Sequence, residues 1–504
     1  MRRTAMQVLA TVGVIVVFLG LPLSGARAQT SPNWPTYLSN GARTGYNGAE
    51  RIITPSTARN LTKLWTDTAG GSISTEPIQV NGVLYYGSWD GYEHAVVAAT
   101  GTQRWSANLG QTTDTSCEPP TTVGVASTAM VNTIKVNGRA TRAVFVGGGN
   151  GNFYALNAST GRVIWRTRLG TPPGTFLWSS PLFYKGSIYE GIASFGDCPL
   201  IRGGVVRMDA ATGKVKNKIY TVPAGCNGAD VWGSPTVDTA TGDIYFATGN
   251  AGQCGRPESL GTAVIKTNSS LRRLGSWQIP PAQLPNDDSD FGSTPTLFRA
   301  SIRGHVHLMV GLQNKDGIYY AFNRSTISSG PLWQKRMAGV GGNCPQCGTA
   351  DISPSAYDGH HLFVGAENTQ IGGVTCAGSI RELQPSTGGT VWVDCLQAGA
   401  VLGAVTAVPG VVFVGAGNTV YAIAASTGAI LWSYQDTNGG SYFWGAPTIS
   451  NGRVYVGNQD GNLYAFGTKA PGTKVSHFAL SSPGVTSLMR ALAGSWTPGV
   501  SARE

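Results

Sequence analysis

Short apolar segments and polar turns alternate along most of this chain. One unit begins with small residues and a proline, Gly445-Ala446-Pro447, and continues through an Asn451-Gly452 turn. An aromatic and β-branched segment follows and ends in glycine, Val454-Tyr455-Val456-Gly457. In most units a third apolar segment then runs into a Thr-Gly turn, and a fourth carries tryptophan. Short apolar segments bounded by turns of this kind predict four β-strands per unit.

This unit recurs eight times. Its first segments are Thr75-Glu76-Pro77, Ser127-Thr128-Ala129, Ser179-Ser180-Pro181, Gly233-Ser234-Pro235, Ser293-Thr294-Pro295, Ile352-Ser353-Pro354, Ala404-Val405-Thr406 and Gly445-Ala446-Pro447. The tryptophans of the fourth segment are Trp105, Trp165, Trp277, Trp333, Trp392 and Trp432, whereas the third unit has Asn217 there. Four-stranded units that bury their faces against neighbouring copies predict an all-β, eight-bladed β-propeller of antiparallel blades.

The two ends of the pattern complement each other. Leu61 to Trp65 has the character of a fourth strand without a unit of its own, and the last unit stops after its third strand, Leu463 to Phe466. Pairing these strands closes the ring and removes two exposed sheet edges. We therefore predict an N-terminal arm over residues 29–60, the propeller over 61–467, and a tail rich in Gly, Ser and Pro over 468–504.

The first 28 residues have the pattern of an export signal. Arg2 and Arg3 precede an apolar run from Ala5 to Leu23, and Ala26-Arg27-Ala28 offers a small-residue cleavage site. The alternative is an uncleaved membrane anchor. No later stretch is apolar enough to cross a bilayer. The sequence thus predicts a signal peptide over 1–28 and a secreted or periplasmic protein without a transmembrane anchor after cleavage.

Charge and cysteine content narrow the classes further. The formal net charge is +10, but there is no dense run of Lys and Arg, which argues against nucleic-acid binding. Eight cysteines fit an oxidising compartment. Cys376 and Cys395 flank a turn at similar distances, so a hairpin would bring them together. For Cys344 and Cys347 we predict a local disulfide, since no second pair with zinc-site spacing is evident.

The opening segments Trp34-Pro35-Thr36-Tyr37 and Asn40-Gly41-Ala42-Arg43-Thr44-Gly45 point to a family. Over about residues 34–467 the chain resembles the eight-bladed pyrroloquinoline quinone (PQQ) alcohol dehydrogenase superfamily, most closely its polyvinyl-alcohol dehydrogenase branch. The Thr-Gly-x-x-x-Trp turns also occur in non-catalytic members, including outer-membrane assembly lipoproteins. The resemblance implies PQQ, Ca²⁺ and an alcohol substrate, with polymeric alcohols among the candidates. Because the sequence has no Cys-x-x-Cys-His, we expect no covalent haem and a separate electron acceptor such as a cytochrome.

Trp232 and Asn250 match two family positions in the fourth unit. They stand in Trp232-Gly233-Ser234-Pro235 and Ala247-Thr248-Gly249-Asn250. The resemblance implies that Trp232 is the floor under the quinone and that Asn250 is a Ca²⁺ ligand. An indole face suits a flat ring, and Ca²⁺ takes amide and carboxylate oxygens. The alternative is a packing tryptophan and a turn asparagine.

Two further segments match in the fifth unit. The resemblance maps the catalytic aspartate, also a metal ligand, to Asp290 in the segment from Asp287 to Ser293, where an acidic solvated loop is the alternative. It maps the cation that contacts the quinone to Lys315, where a β-turn lysine is the alternative. A carboxylate suits proton abstraction from an alcohol, and a cation stabilises negative charge on a reduced cofactor.

The chain departs from the family at two places. Where catalytic relatives have a calcium-binding Glu before Arg-Gly, the carboxylate nearest to Arg202-Gly203 is Asp197. We therefore assign Asp197 as the metal ligand, with a shorter reach. The adjacent-cysteine ring of many relatives is absent, and Cys117 is expected to stand alone in that region. These departures keep a second hypothesis open, a non-catalytic propeller that binds protein or polysaccharide.

Overall fold

The computed structural model describes residues 33–250, 252, 258–339 and 344–468. The predicted signal peptide (1–28) and residues 469–504 of the predicted tail lie outside the described residues. In the described part, the strands form eight antiparallel blades of the predicted propeller. No helix in these residues is long and apolar enough to cross a membrane. We call the first strand of each blade its inner strand.

The chain enters the ring through one short helix and one strand. These are α1 (Pro55–Ala58) and β1 (Leu61–Thr68). Blade one contains β2 (Ile78–Val80), β3 (Val83–Gly87), β4 (Tyr92–Val97) and β5 (Gln103–Asn108); a two-stranded sheet of β6 (Thr112–Thr113) and β7 (Thr122–Val123) follows. Blade two contains β8 (Met130–Val136), β9 (Arg139–Gly147), β10 (Asn152–Asn157) and β11 (Val163–Arg168).

Blades three to five provide the candidate site. Blade three contains β13 (Leu182–Tyr184), β14 (Ser187–Ser194), β15 (Gly204–Asp209) and β16 (Val215–Tyr220), with β13 as its inner strand; an extra short strand, β12 (Thr175–Phe176), precedes β13 and also pairs with β14. Blade four contains β17 (Thr236–Asp238), β18 (Asp243–Ala247), β19 (Ala263–Thr267) and β20 (Arg273–Gln278). Blade five contains β21 (Thr296–Ile302), β22 (His305–Asn314), β23 (Ile318–Asn323) and β24 (Trp333–Arg336), with 3₁₀ turns at Pro281–Gln283 and Ile327–Ser329.

The remaining blades complete the ring. After a 3₁₀ turn at Pro345–Cys347, blade six contains β25 (Ala356–Tyr357), β26 (Leu362–Ile371), β27 (Val374–Leu383) and β28 (Thr390–Leu396). Blade seven contains β29 (Thr406–Val408), β30 (Val411–Ala416), β31 (Thr419–Ala424) and β32 (Ile430–Gln435). Blade eight contains β33 (Thr448–Ser450), β34 (Arg453–Gly457) and β35 (Asn462–Thr468), and β1 pairs antiparallel with β35 as its fourth strand.

Tryptophan side chains join each of several blades to the next. The Trp105 indole N–H donates to the Ala158 carbonyl of blade two at 3.0 Å, and its ring packs on Gly161 of the Thr-Gly turn. The same N–H contact recurs at Trp165, Trp333 and Trp392. In blade three, Asn217 donates its amide to the Ser270 carbonyl at 2.8 Å. Asn217 therefore keeps the hydrogen bond to the next blade but lacks the apolar ring that tryptophan provides in the other blades.

Residues 34–47 belong to the predicted N-terminal arm, and we call this shorter stretch the arm from here on. It contacts the inner strand of every blade or the residues that lead into that strand. The partners are Gln79, Val131, Ser180 and Pro181, Val237, Leu297, Tyr357, Ala407 and Ile449, taken from blade one to blade eight in order. Most of these contacts are backbone hydrogen bonds, so the arm substitutes for a neighbour that the inner strands otherwise lack. The arm thereby fills the centre of the ring.

The disulfides confirm two predictions and correct one. Cys376 is bonded to Cys395, although the register pairs Ser379 with Cys395 across β27 and β28. Cys344 is bonded to Cys347, as expected from their spacing. The expectation that Cys117 stands alone is wrong, because it is bonded to Cys198 of blade three. Their sequence separation of 81 residues hid this pair, which only the ring brings together.

Candidate active site

The sequence-predicted site residues come from two kinds of segment at one face of blades three to five. Asp197, Asn250 and Lys315 lie in the turns that follow the second strands β14, β18 and β22. Trp232 and Asp290 lie in the segments that lead into the inner strands β17 and β21. The arm meets these inner strands farther along, at residues 237 and 297. We call this face of blades three to five, where the site residues lie, the mouth.

Asp290 is the centre of the site. It is 2% exposed, and its Oδ2 accepts a hydrogen bond from the Trp232 indole N–H at 3.0 Å. Its Oδ1 lies 2.9 Å from the Lys315 Nζ. The Lys315 backbone N–H also donates to the Asp290 carbonyl at 3.1 Å. Three of the predicted residues thus form one bonded group, with both carboxylate oxygens held in place.

Two glycines allow this close approach. A Cβ at Gly292 would overlap the outer ring of Trp232, so only glycine lets the indole lie across that segment. A Cβ at Gly249 would overlap Oδ1 of Asp230 and lie 3.0 Å from Oδ2 of Asp290. The Asp-Phe-Gly and Thr-Gly-Asn segments therefore contain glycine where side chains of the site need the space.

Lys315 bridges two carboxylates. Its Nζ lies 2.8 Å from Asp288 as well as 2.9 Å from Asp290, and 5.2 Å from the ring centre of Trp232. Burial alone lowers the pKa of this lysine, but Asp290 and Asp288 raise it above its usual value. Lys315 is therefore a fixed positive charge over the indole face.

Asp197 belongs to the same electrostatic group without bonding to Asp290. Its side chain is exposed at the mouth, and its backbone has a φ of 63°, in the left-handed region. Desolvation by the surrounding protein and the charge of Asp290 raise its pKa to about 6, against the opposing effect of Lys315. The structure thus places Asp197 near enough to Asp290 and Lys315 for their charges to act on it.

Asp230 is a site residue that sequence reasoning missed. It is 3% exposed and accepts the Ser194 backbone N–H at 2.9 Å. Burial, followed by the charges of Asp197 and Asp290, raises its pKa to about 7. The available signal was an acidic residue two positions before Trp232, within an otherwise apolar run.

The donor set fits a hard divalent cation. The Lys315 ammonium contacts Asp288 and Asp290. Asp197 and Asp230 are two further carboxyl groups that act on this group by their charge, so the mouth has excess negative charge that burial makes costly. The Asn250 Oδ1 is buried and has no hydrogen-bond partner. Carboxylate and amide oxygens are the ligands of Ca²⁺. Among the described residues, no three His, Cys, Asp or Glu side chains form a complete metal site by themselves, so the fit is one of donor chemistry.

A flat aromatic cofactor also fits the side chains present. The Trp232 indole is half-buried, so one face stays accessible at the mouth. Its N–H is fixed by Asp290, and Lys315 lies over the same ring. An accessible indole next to a fixed cation suits a planar, electron-poor ring with anionic oxygens.

Two family models match parts of the chain. Residues 34–167 match the model described as the β-propeller domain of glucose, ethanol and alcohol dehydrogenases. Residues 376–491 match the model of the outer membrane protein assembly factor BamB. Both are models of PQQ-type propeller repeats, so together they agree with the resemblance drawn from the motifs.

Curated relatives and solved structures give a similar result. A polyvinylalcohol dehydrogenase of a Pseudomonas species is 25% identical over 83% of this chain and 72% of its own length. One of a Sphingopyxis species is 24% identical over 87% and 75%. The quinohemoprotein alcohol dehydrogenase ADHIIG of Pseudomonas putida superposes with a TM-score of 0.68 at 17% identity, over 87% of this chain and 81% of that one. That structural likeness concerns the fold.

Proposed function

We propose that this eight-bladed β-propeller, which is similar to polyvinyl-alcohol dehydrogenases, is a PQQ-dependent oxidoreductase that oxidises an alcohol. The observation that carries this proposal is the bonded group of Trp232, Asp290 and Lys315 at the mouth. A scaffold has no need for a buried carboxylate held by an indole N–H and a lysine. Relatives named as alcohol dehydrogenases support the same reaction class.

We assign each residue of the site a role. Asp290 accepts the hydroxyl proton of the alcohol, because it is a carboxylate fixed in position at the mouth. Trp232 provides the surface on which the cofactor lies and orients Asp290 through its N–H. Lys315 stabilises negative charge that develops above the indole. Bound PQQ supplies the two-electron acceptor, and bound Ca²⁺ a Lewis acid.

Asp197, Asn250 and Asp290 are the proposed Ca²⁺ ligands, and Asp230 joins them. Asp230 is buried, its pKa is raised, and it lies with Asp290 against Gly249. The shorter Asp197 in place of the family's glutamate leaves room for a second carboxylate from the neighbouring segment. The proposed substrates are alcohols, polymeric alcohols among them, and the electrons pass to a separate acceptor such as a cytochrome.

Reconstitution tests this function directly. The purified protein is incubated with PQQ and Ca²⁺ and assayed for alcohol-dependent dye reduction over small and polymeric alcohols. We expect turnover that requires both additions. No bound quinone and no turnover over this panel would overturn the proposal and favour the scaffold that binds protein or polysaccharide.

Asp290→Asn tests the assigned base. The amide keeps the size of the carboxyl group but accepts no proton, so turnover should fall at least ~10²-fold. PQQ binding, measured by absorbance after gel filtration, should stay close to wild type. Asp287→Asn, an acidic neighbour in the same segment, serves as the matched control and should keep its activity. Activity that survives in Asp290→Asn would show that another group is the base.

Export is part of the proposal. Cleavage after Ala28 would release a protein that begins at Gln29, in the periplasm or the medium. Sequencing the amino terminus of the fractionated protein tests this. A protein that retains Met1 in the membrane fraction would support the uncleaved anchor instead.

A further inference from the structure

The Cys117–Cys198 disulfide crosses the mouth next to a proposed metal ligand. Cys117 lies in the loop between β6 and β7, which connects blade one to blade two. Cys198 directly follows Asp197 in the turn between β14 and β15 of blade three. No backbone ladder joins these two loops, so the disulfide is a covalent link between separate segments of the mouth.

The turn that carries Asp197 depends on this neighbouring loop. The Ser116 hydroxyl donates to the Cys198 carbonyl at 2.9 Å, and a Cβ at Gly196 would lie 3.3 Å from the Cys117 Sγ. Asp197 itself has a left-handed backbone, which aspartate adopts more readily than most non-glycine residues. The disulfide and the Ser116 hydrogen bond attach the Cys198 end of this turn to the Cys117 loop.

We propose that the Cys117–Cys198 disulfide positions Asp197 beside Asp230 and Asp290, so that its reduction weakens cation binding at the mouth. The second half of this inference rests on the proposed calcium site. In the reduction, a dithiol gives two electrons and two protons to the S–S bond and becomes a disulfide itself. Two cysteine thiols result, and the Asp197 turn is then attached only through its own blade.

The chain contains a matched control. Cys376–Cys395 joins β27 and β28, two strands that already share a backbone ladder in blade six. Its removal eliminates a disulfide but frees no loop that carries a proposed site residue. We therefore compare Cys117→Ser/Cys198→Ser with Cys376→Ser/Cys395→Ser, after verifying by thermal unfolding that both variants are folded.

Hydrogen–deuterium exchange of residues 194–203 reports the position of the turn without any metal. The Phe195 and Ile201 amides donate to the Gly174 carbonyl and the Ser194 hydroxyl, at 3.2 Å each. In Cys117→Ser/Cys198→Ser these amides should exchange about tenfold faster, because the turn opens locally. In the control variant they should exchange at the wild-type rate. Equal exchange in all three proteins would overturn the positioning role.

Calcium titration by calorimetry tests the consequence. Supporting residues around metal ligands are typically worth about 10- to 100-fold in affinity, and we expect a loss of that size in Cys117→Ser/Cys198→Ser. Asp197→Asn should weaken binding in the wild type and add little in that variant, because the turn no longer presents the carboxylate. Fully additive losses would overturn the inference.

Two outcomes keep the inference separate from the proposed function. If the wild type binds no calcium, the proposed metal site is wrong, and the exchange result alone decides the positioning role. If the double serine variant does not fold, wild type and control variant are treated with a phosphine reductant under native conditions. Faster exchange at residues 194–203 in both would support the inference, and unchanged exchange would overturn it.

Discussion

Arg43 in the arm and Lys315 at the mouth are both buried cations, but their surroundings differ. Arg43 is fully buried and donates to backbone carbonyls of Tyr37, Ser180, Pro181 and Pro235 and to the Thr36 hydroxyl. Lys315 is 7% exposed and contacts two carboxylates, with further carboxyl groups nearby. One cation is satisfied by neutral acceptors, and the other is part of an acidic group.

This difference separates a structural charge from a functional one. The Arg43 guanidinium group hydrogen-bonds to residues of blades three and four and so connects the arm to them. Burial lowers the pKa of Arg43 to about 10, although the charges of Glu76 and Glu190 act in the opposite direction. Around Lys315, by contrast, burial and the charge of Asp290 raise the pKa values of both Asp197 and Asp230. Like charge that is not neutralised in an accessible mouth marks a binding site, whereas a cation whose own N–H groups are all hydrogen-bonded in a closed centre marks a framework.

Arg43→Ala should have the largest effect on stability. Removing this side chain leaves several buried carbonyls without donors, so the free energy of unfolding should fall by about 3–5 kcal/mol. Denaturant unfolding measures it. Arg43→Lys keeps the charge but not the guanidinium hydrogen bonds, so its free energy of unfolding should lie between those of the wild type and Arg43→Ala. A wild-type midpoint for Arg43→Ala would show that the arm does not depend on this residue.

Lys315→Met should affect activity more than stability. The catalytic efficiency kcat/KM of the reconstituted enzyme should fall about 10²- to 10³-fold, since a charge aimed at the reacting group is lost. The free energy of unfolding should fall by less than in Arg43→Ala, because the carboxyl groups left without a cation can take up protons. Lys266→Met is the matched control, because Lys266 pairs with Asp243 at 2.9 Å outside the mouth. If Lys315→Met unfolds like Arg43→Ala and retains kcat/KM, the distinction between the two cations fails.

Glu76, which contacts the arm, should also make the free energy of unfolding depend on pH. Burial raises the pKa of Glu76 to about 8, although the Leu38 N–H and Arg43 act in the opposite direction. The folded protein therefore keeps a proton that the unfolded chain releases near pH 4.5, and stability is lost as pH rises from there through 8. Glu76→Gln should flatten this slope by at most about 1.4 kcal/mol per pH unit. Denaturant unfolding at several pH values measures the free energy of unfolding of wild type and Glu76→Gln. Equal slopes against pH for the two proteins would contradict this prediction.

The smallest effect is expected at a neutral contact between blades. Asn217→Ala removes an exposed amide that donates to the Ser270 carbonyl, which should cost about 0.5–1 kcal/mol. Trp165→Ala, at the corresponding contact of the preceding blade, should cost about 3–5 kcal/mol because the ring is lost too. Equal losses would show that the ring contributes nothing beyond its hydrogen bond.

Much of the site was accessible from sequence because its residues lie in short motifs. Trp232, Asn250, Asp290 and Lys315 each occupy a recognisable segment of a repeat whose geometry is regular, and three of them, Trp232, Asp290 and Lys315, lie in one bonded group. Asp230 was missed because its one local signal, an acidic residue in an otherwise apolar run, does not by itself distinguish a site carboxylate from an ordinary loop residue. Its neighbours Ser194 and Gly249 come from two other segments.

The sequence by itself determined the number of blades, the strand order and the closing strand around Trp65. These features depend on local periodicity and on unpaired edges, both of which are visible in one dimension. The tertiary structure alone decided that Cys117 meets Cys198, that Arg43 fills the centre of the ring, and that Asp230 joins Asp197 and Asp290. Such contacts form between segments that only the closed ring brings together, and no local pattern encodes a distance across it.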